Sequence, residues 1–482
     1  MKLVSVGALL LALGVSQAQA QSSVQPANWD AGLTLPDAPD LNADPRIVEI
    51  NLDARVTTVE IAPGTLVTDA WTYNGGLPGP LIRVRVGDRL IVHFTNRLPE
   101  PTTVHWHGIR VPIQMDGVPG ASQPNVEPGG TFTYDFIVPD AGLYWYHPHV
   151  MSAAQVGFGL YGALLVEDPS ENVGVEDELV IVLSDIGLNP RGGFEDPNSG
   201  GSTGMAFGRE GTDVLVNGRK QPTLRVRSGA PQRWRIVNAA KSRYFLLDLD
   251  GVIFRKIGGD GGLQEASQDS RDVLIAAGER VDLIVTPKLA PGATVDLVSL
   301  LFNRGYGSTE FRNIERLITL VGSDQPAYSA PPLPVVTRAI APLDPTGAKR
   351  VTIDLTISQA TNGRFEYGIN GVAFAKDKPL YANPGETQIW TVRNMTKWSH
   401  PFHIHGFFFQ GLDDAGQPVR PLAWKDTVDV PFDKTLSFIV RFDDDRPGAW
   451  MYHCHILDHA DGGLMGTVIV GTPPAPSALH EH

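Results

Sequence analysis

The sequence predicts an all-β protein built of three antiparallel sandwich domains with Greek-key connections, and three observations carry that prediction. Gly 51 and Pro 38 in 482 residues, with charged residues at only 19%, favour a turn-rich β protein over a helical one. One pattern of turn signals recurs three times. Asn74-Gly75 is followed by Pro80, by Leu81 to Gly87 and, nine residues after that glycine, by Asn96. Asn217-Gly218 is followed by Pro222, by Leu224 to Gly229 and, nine on, by Asn238. Asn370-Gly371 is followed by Pro384-Gly385 and, nine on, by Asn394. Such spacings, roughly 140 to 155 residues apart, indicate three related units. The alternating stretches Arg83 to Phe94, Thr223 to Val237 and Gln388 to Asn394 read as strands with one buried face, bounded by Asn-Gly and Pro-Gly turns. Greek-key sandwiches follow from short strands so bounded.

Taken in order, residues 1–20 read as a secretory signal: Lys2, the apolar run Leu3 to Val15, then Ala18-Gln19-Ala20 as a cleavage site. Export to a periplasmic or extracellular state is expected, with a mature chain from Gln21 and no membrane span after it. Residues 21–45, rich in Pro, Asp and Asn, read as an N-terminal arm. The first domain is expected over 46–170 and ends where Glu167-Asp168-Pro169-Ser170 closes an apolar strand. The second is expected over 171–326. Within it, 189–212, with Gly192-Gly193 and Ser199-Gly200-Gly201-Ser202, lacks periodicity and reads as a mobile surface loop. A proline-rich linker fills 327–346, the third domain 347–473, and a tail 474–482.

The net charge of −14 argues against nucleic acid and anionic membranes as partners. A solvated acidic surface is its ordinary meaning. With a single cysteine, no disulfide can form within the chain even in an oxidising compartment.

That cysteine lies in Trp450-Met451-Tyr452-His453-Cys454-His455-Ile456-Leu457-Asp458-His459. In a strand, side chains alternate, so His453 and His455 point one way and Cys454 the other. A lone cysteine is ordinarily a small buried hydrophobe; flanking histidines and His459 point instead to a soft copper site, with a second metal site on the opposite face. The two would be joined by a covalent path on the order of 10 Å.

The other histidines are grouped as tightly. Of 13, His105-Trp106-His107-Gly108 and His147-Pro148-His149 fall in the first unit, and His400-Pro401-Phe402-His403-Ile404-His405-Gly406 and His453-Cys454-His455 in the third; none occurs between 150 and 399. Each His-x-His sets two imidazoles on one strand face, close enough to share a metal cluster. Gly142 and Gly448 precede His147 and His453 by five residues each, and His107-Gly108 answers His405-Gly406. Two quasi-equivalent sets of four imidazoles follow, and a pseudo-twofold cluster between the first and third units. Thr102, Pro148 and Ala153 stand where the third unit has His400, Cys454 and His459, so the sulfur site belongs to the third unit alone. The second unit reads as a spacer or as a wall for a substrate. His93 reads as an ordinary strand residue, and His480 and His482 as tail residues.

These four motifs and the trailing His459 resemble those of the multicopper oxidases in their three-domain, laccase-like bacterial form, over nearly the whole mature chain. The resemblance implies three cupredoxin-like domains and four copper ions per chain. It implies a type 1 copper on His400, Cys454 and His459, a type 2 copper on His105 and His403, and a type 3 pair on His107, His147, His149, His405, His453 and His455. Asp116, in Met115-Asp116-Gly117-Val118-Pro119, matches the family's acidic residue near the trinuclear site; an aspartate opening a turn before Gly117 is its ordinary reading. Two positions depart from the bacterial pattern. Where a weak axial methionine is common, ten residues after the cysteine, this chain has Leu464, leaving a three-coordinate copper, unless a bulge at Gly462-Gly463 delivers Met465. Where a proton-relaying glutamate is common stands Ala460, with Asp458 and Asp461 as substitutes.

The implied reaction is one-electron oxidation of phenols or aromatic amines, passed through Cys454 to His453 and His455, with reduction of O2 to water and Asp116 helping to supply protons. A monomer is expected to suffice. Oxidation of Cu(I) is the rival. It usually comes with a methionine-rich insertion, and of 7 methionines only Met205 falls in 189–212. A two-site nitrite reductase would lack the His-Cys-His bridge, and a non-enzymatic copper-binding scaffold would be expected to have lost ligands.

Overall fold

The structure is a computed structural model that describes residues 31–305, 313–329, 333, 338–359, 365–376 and 378–472. The leader, the first residues of the arm, part of the linker and the tail with His480 and His482 lie outside the described residues. The strands form six sheets, two drawn from residues 47–167, two from 178–322 and two from 349–470. Each pair of sheets closes on one apolar core, centred on Trp106 in the first, Trp234 in the second and Trp390 in the third. A further apolar cluster joins Leu143 and Trp145 of the first unit to Val180, Val182 and Val237 of the second and Leu457 of the third.

The recurring turn signals serve one purpose in all three units. Asn74, Asn217 and Asn370 adopt positive φ ahead of positive-φ glycines, the requirement of a type I′ turn. Each side-chain oxygen also accepts a backbone N–H, from Asp53, Val182 and Asp354 respectively. Asn96, Asn238 and Asn394 each use Nδ2 to hold backbone carbonyls, Glu100 and Val126 in the first unit, Arg243 and Ile275 in the second, and Trp398, Val430 and Pro431 in the third. In the first and third units these clamps hold the segments that deliver His105 and His400.

Two expectations change here. The stretch Arg83 to Phe94 is two strands, Gly79–Arg85 and Arg89–Asn96, in different sheets, and Thr223 to Val237 divides likewise into Thr223–Val226 and Gln232–Asn238. The turns at Gly87 and Gly229 (φ 81° and 77°) carry the chain across the sandwich. The sheets are therefore mixed. Each unit contains two parallel pairs, as between Ile47–Ala62 and Arg89–Asn96, among antiparallel ones.

The segment 189–212 is not merely a surface loop. It contains the helix Gly201–Phe207, whose Ala206 is buried, and Tyr367 of the third unit donates its hydroxyl to Ala206 O at 2.6 Å. Arg209 pairs with Asp458. These contacts come from residues some 160 to 250 positions away, so no local periodicity reports them. Among the described residues no helix is long and apolar enough to cross a membrane.

Candidate metal centre

Four strands position the motif histidines, and they pair in matching register. His105–His107 lies antiparallel to Gly142–His147 with His105 opposite His147, and His400–Ile404 lies antiparallel to Gly448–Cys454 with His403 opposite His453. Alternation then sends Trp106, Phe402, Ile404 and Cys454 into the sandwich cores, with His400 on the face of Cys454, and sends His105, His107, His147, His403 and His453 to the opposite face. The two sets of rings meet. His105 stacks on His405 with centroids 3.9 Å apart, and His107 on His403 at 3.8 Å.

Two donor groups result, with Cys454 between them. In the first, His400 Nδ1 lies 3.3 Å and His459 Nδ1 3.6 Å from Cys454 Sγ, and the two nitrogens are 3.1 Å apart. All three residues are fully buried. The outer nitrogens are fixed: His400 Nε2 by Thr396 Oγ1 at 2.7 Å and His459 Nε2 by Ala206 O at 3.2 Å. Tyr367 stacks on the His459 ring at 4.2 Å. Leu464 lies in the core that holds Cys454, whereas Met465 packs elsewhere with Val118, Phe374 and Met451. Met465 opens the strand Met465–Val470, opposite His453.

The second group is larger. Ligand atoms of His105, His107 and His403, of His107, His147 and His455, and of His149, His405 and His453 lie within 4.8 Å of one another in each set. The outward nitrogens are held by oxygens: His105 Nδ1 by Asp116 O at 2.7 Å, His403 Nδ1 by Asp426 O at 2.9 Å, His147 Nδ1 by Pro148 O at 3.0 Å and His453 Nδ1 by Cys454 O at 2.9 Å. This leaves buried ring nitrogens aimed inward without a hydrogen-bond partner, namely His105 Nε2, His107 Nδ1, His147 Nε2, His403 Nε2 and both of His455. Buried polar atoms are ordinarily satisfied. So many orphaned imidazole nitrogens converging on one space fit a metal cluster, and a thiol beside two imidazoles fits copper.

Electrostatics agree. Burial pushes His400 and His405 down to about 3, and His107, His147, His453, His455 and His459 well below the usual imidazole range. Neutral imidazole is the form that ligates. Burial also raises the Cys454 thiol far above its ordinary range, so a thiolate there requires a cation beside it.

Asp116 meets both readings given to it. It follows the short helix Ile113–Met115 and precedes Gly117 at φ 81°, while its Oδ2 accepts from His405 Nδ1 at 2.8 Å. Asp458 is tied to Arg209, and Asp461 is exposed and accepts the Ala153 N–H. His93 stands apart from the cluster, against Glu49 at 2.8 Å.

Sequence reading missed Asp426, the counterpart of Asp116. Its backbone oxygen holds His403, as that of Asp116 holds His105, and its Oδ1 lies 3.3 Å from His107 Nε2. The only sequence signal is the shared Asp-x-Val of Asp116-Gly117-Val118 and Asp426-Thr427-Val428, hidden because the third unit inserts the strand Phe409–Leu412 and its following loop before it.

Comparison with known proteins agrees with this geometry. Family models described as multicopper oxidase match residues 55–171, 178–294 and 344–474. A multicopper oxidase of Mycobacterium tuberculosis is 34% identical over 442 residues, covering 83% of each chain. A laccase of Bacillus subtilis is 27% identical over 475 residues, covering 84% of this chain and 91% of its own. The solved multicopper oxidase of Campylobacter jejuni, described as a metallo-oxidase, superposes with a TM-score of 0.81 at 28% identity, over 91% of this chain and 95% of its own.

Proposed function

Since the chain belongs to the multicopper oxidase family, and is thus a copper-dependent oxidoreductase acting on dioxygen and a reducing substrate, we propose that it is a laccase-like oxidase of phenols and aromatic amines with four coppers. In this reading His400, Cys454 and His459 hold a type 1 copper, His105 and His403 a type 2 copper, and His107, His147, His149, His405, His453 and His455 a type 3 pair. The three units are assigned to 46–170, 171–326 and 347–473, and the leader in 1–20 to export.

Bound copper supplies one-electron acceptance at the Cys454 group and four-electron reduction of dioxygen to water at the histidine group. The chain's residues do the rest. Cys454 and its covalent neighbours His453 and His455 bridge the two groups through one stretch of backbone. Thr396 and Ala206 O orient the imidazoles of the first group. Asp116 orients His105 and His405 and is the carboxylate placed to pass protons at the second. Leu464 supplies no sulfur to the first group, an arrangement that favours Cu(I) and a high potential.

One observation carries the reading: Cys454 faces one donor group while both its neighbours face the other. Cys454→Ser tests it, with loss of blue colour and of substrate oxidation expected while the histidine group still binds copper. Retained phenol turnover would overturn the bridge.

Oxidation of Cu(I) is the second reading. It draws support from the helix Gly201–Phe207, which covers His459 through Ala206 O and brings the thioether of Met205 close to Gly462, a soft donor beside the first group. Oxygen uptake measured side by side with a phenol, an aromatic amine and Cu(I) separates the two. Comparable catalytic efficiency on Cu(I) reverses the ranking.

A further inference from the structure

Asp116 and Asp426 are quasi-symmetric in what they do to the histidines and unlike in what holds them. Among the described residues the ion pairs of Asp116 are with His105 and His405. Asp426 faces a guanidinium as well. Arg280, fully buried on the second unit's strand Arg280–Val285, donates from Nη1 to Asp426 Oδ1 at 2.8 Å and from Nη2 to Asp426 Oδ2. The same side chain is fixed from all sides: it donates to Leu143 O at 3.1 Å, Gly278 O at 3.0 Å and Asp260 O at 3.0 Å. Thr427 Oγ1 completes the arrangement, donating to Asp426 Oδ1 at 2.8 Å and lying 3.1 Å from His403 Nδ1 and 3.3 Å from His107 Nε2.

The packing leaves this pair no slack. A Cβ on Gly108, the glycine of His-Trp-His-Gly, would come within 2.7 Å of Asp426 Oδ2, and one on Gly278 within 2.8 Å of His455 Cγ. The middle unit, without a histidine of its own, thus presses its 278–280 segment against the carboxylate and a ring of the cluster.

We propose that Arg280 is a positioning residue for the histidine cluster: its two-pronged grip on Asp426 fixes the rings of His107 and His403, so the middle unit governs copper retention without contributing a ligand. The planar fork matters because two parallel N–H···O bonds set the carboxylate's plane as well as its place, which a lysine ammonium cannot do. With the carboxylate plane fixed, Oδ1 stays in reach of His107 Nε2 and the main chain keeps its carbonyl on His403 Nδ1.

The inference rests on the reading of these imidazoles as copper ligands, and the experiment keeps the two apart. Wild-type protein, Arg280→Met, Arg280→Lys and the double variant Arg280→Met/Asp426→Leu are loaded with copper and compared by copper content, blue absorbance and the electron paramagnetic resonance of type 2 copper. Arg280→Met is expected to hold type 2 copper roughly 10- to 100-fold more weakly, with altered hyperfine splitting, and to keep the blue absorbance of the Cys454 group. Arg280→Lys is expected to be intermediate. The double variant, which buries no lone charge, is expected to recover thermal stability but not the type 2 signal, separating orientation from simple structural support. Unchanged copper content and hyperfine splitting in Arg280→Met overturn the proposal, as does loss of the blue band together with the cluster signal in the double variant. Wild-type protein with neither signal refutes instead the copper assignment beneath it.

Discussion

His405 Nδ1 donates to Asp116 Oδ2 at 2.8 Å, a hydrogen bond between the third unit and the first that spans 289 residues of chain. Asp116 also holds His105 through its backbone oxygen, so one residue orients a ring from each half of the cluster. Replacing it separates orientation from proton supply. Asp116→Ala is expected to lower oxygen uptake roughly 10- to 100-fold and to weaken cluster copper, with the blue absorbance unchanged. Asp116→Asn, which keeps an acceptor oxygen, is expected to restore copper content but not the rate. Full oxygen uptake in Asp116→Asn would remove the residue from proton supply.

Thr396 Oγ1 plays the corresponding part at the Cys454 group, 2.7 Å from His400 Nε2. Thr396→Val conserves shape and deletes that bond together with the hydroxyl's contacts to Asn394 Oδ1 and Trp398. Copper at this group is expected to be held roughly 10-fold more weakly, with a shifted blue band, and the type 2 resonance to stay as in the wild type. Titration with a copper chelator measures the difference.

Leu464 shares its core with Cys454, and Met465 does not. Leu464→Met is therefore expected to bring a thioether to the sulfur site and lower its potential, while Met465→Leu leaves the potential where it was. Redox titration of the blue band decides; a larger shift on replacing Met465 would reverse the assignment of the two positions.

The buried imidazoles make the copper-free chain acid-sensitive. His400 and His405 lie at about 3 in the folded chain against 6.5 ordinarily, because burial disfavours their charged forms. Below 6.5 the unfolded chain takes up protons that the folded chain refuses, so stability falls as pH drops and goes on falling until the folded values near 3 are reached. Denaturant midpoints of copper-free protein are expected to decline steadily from pH 6.5 to 4. A flat profile over that interval would show that the rings are solvated.

The clamps made by Asn96, Asn238 and Asn394 give a stability test away from the metal centre. Asn238→Ala in the second unit strips partners from Arg243 O, Ile275 O and the Ala240 N–H. It is expected to cost about 1–3 kcal/mol, since it orphans buried backbone groups. The first transition in a thermal scan should move down, with the blue band of the native state intact.

How much of this was written in the sequence follows from the range over which each cause acts. Alternation along a strand is a property of adjacent residues, so the opposed faces of Cys454 and its two histidines, the His-x-His pairs and the turns at Asn74, Asn217 and Asn370 were legible from spacing alone. The threefold repeat was legible for the same reason, while the direction in which the chain leaves Gly87 and Gly229 was not: a glycine permits the crossing to the opposite sheet without announcing it. Contacts between units belong to the tertiary structure alone. The grip of Arg280 on Asp426, the cover that Ala206 lays over His459 and the separation of Leu464 from Met465 depend on how sheets from distant parts of the chain pack. A side chain's neighbours across such a boundary are set by the shape of both surfaces, and no short-range pattern in either one encodes it.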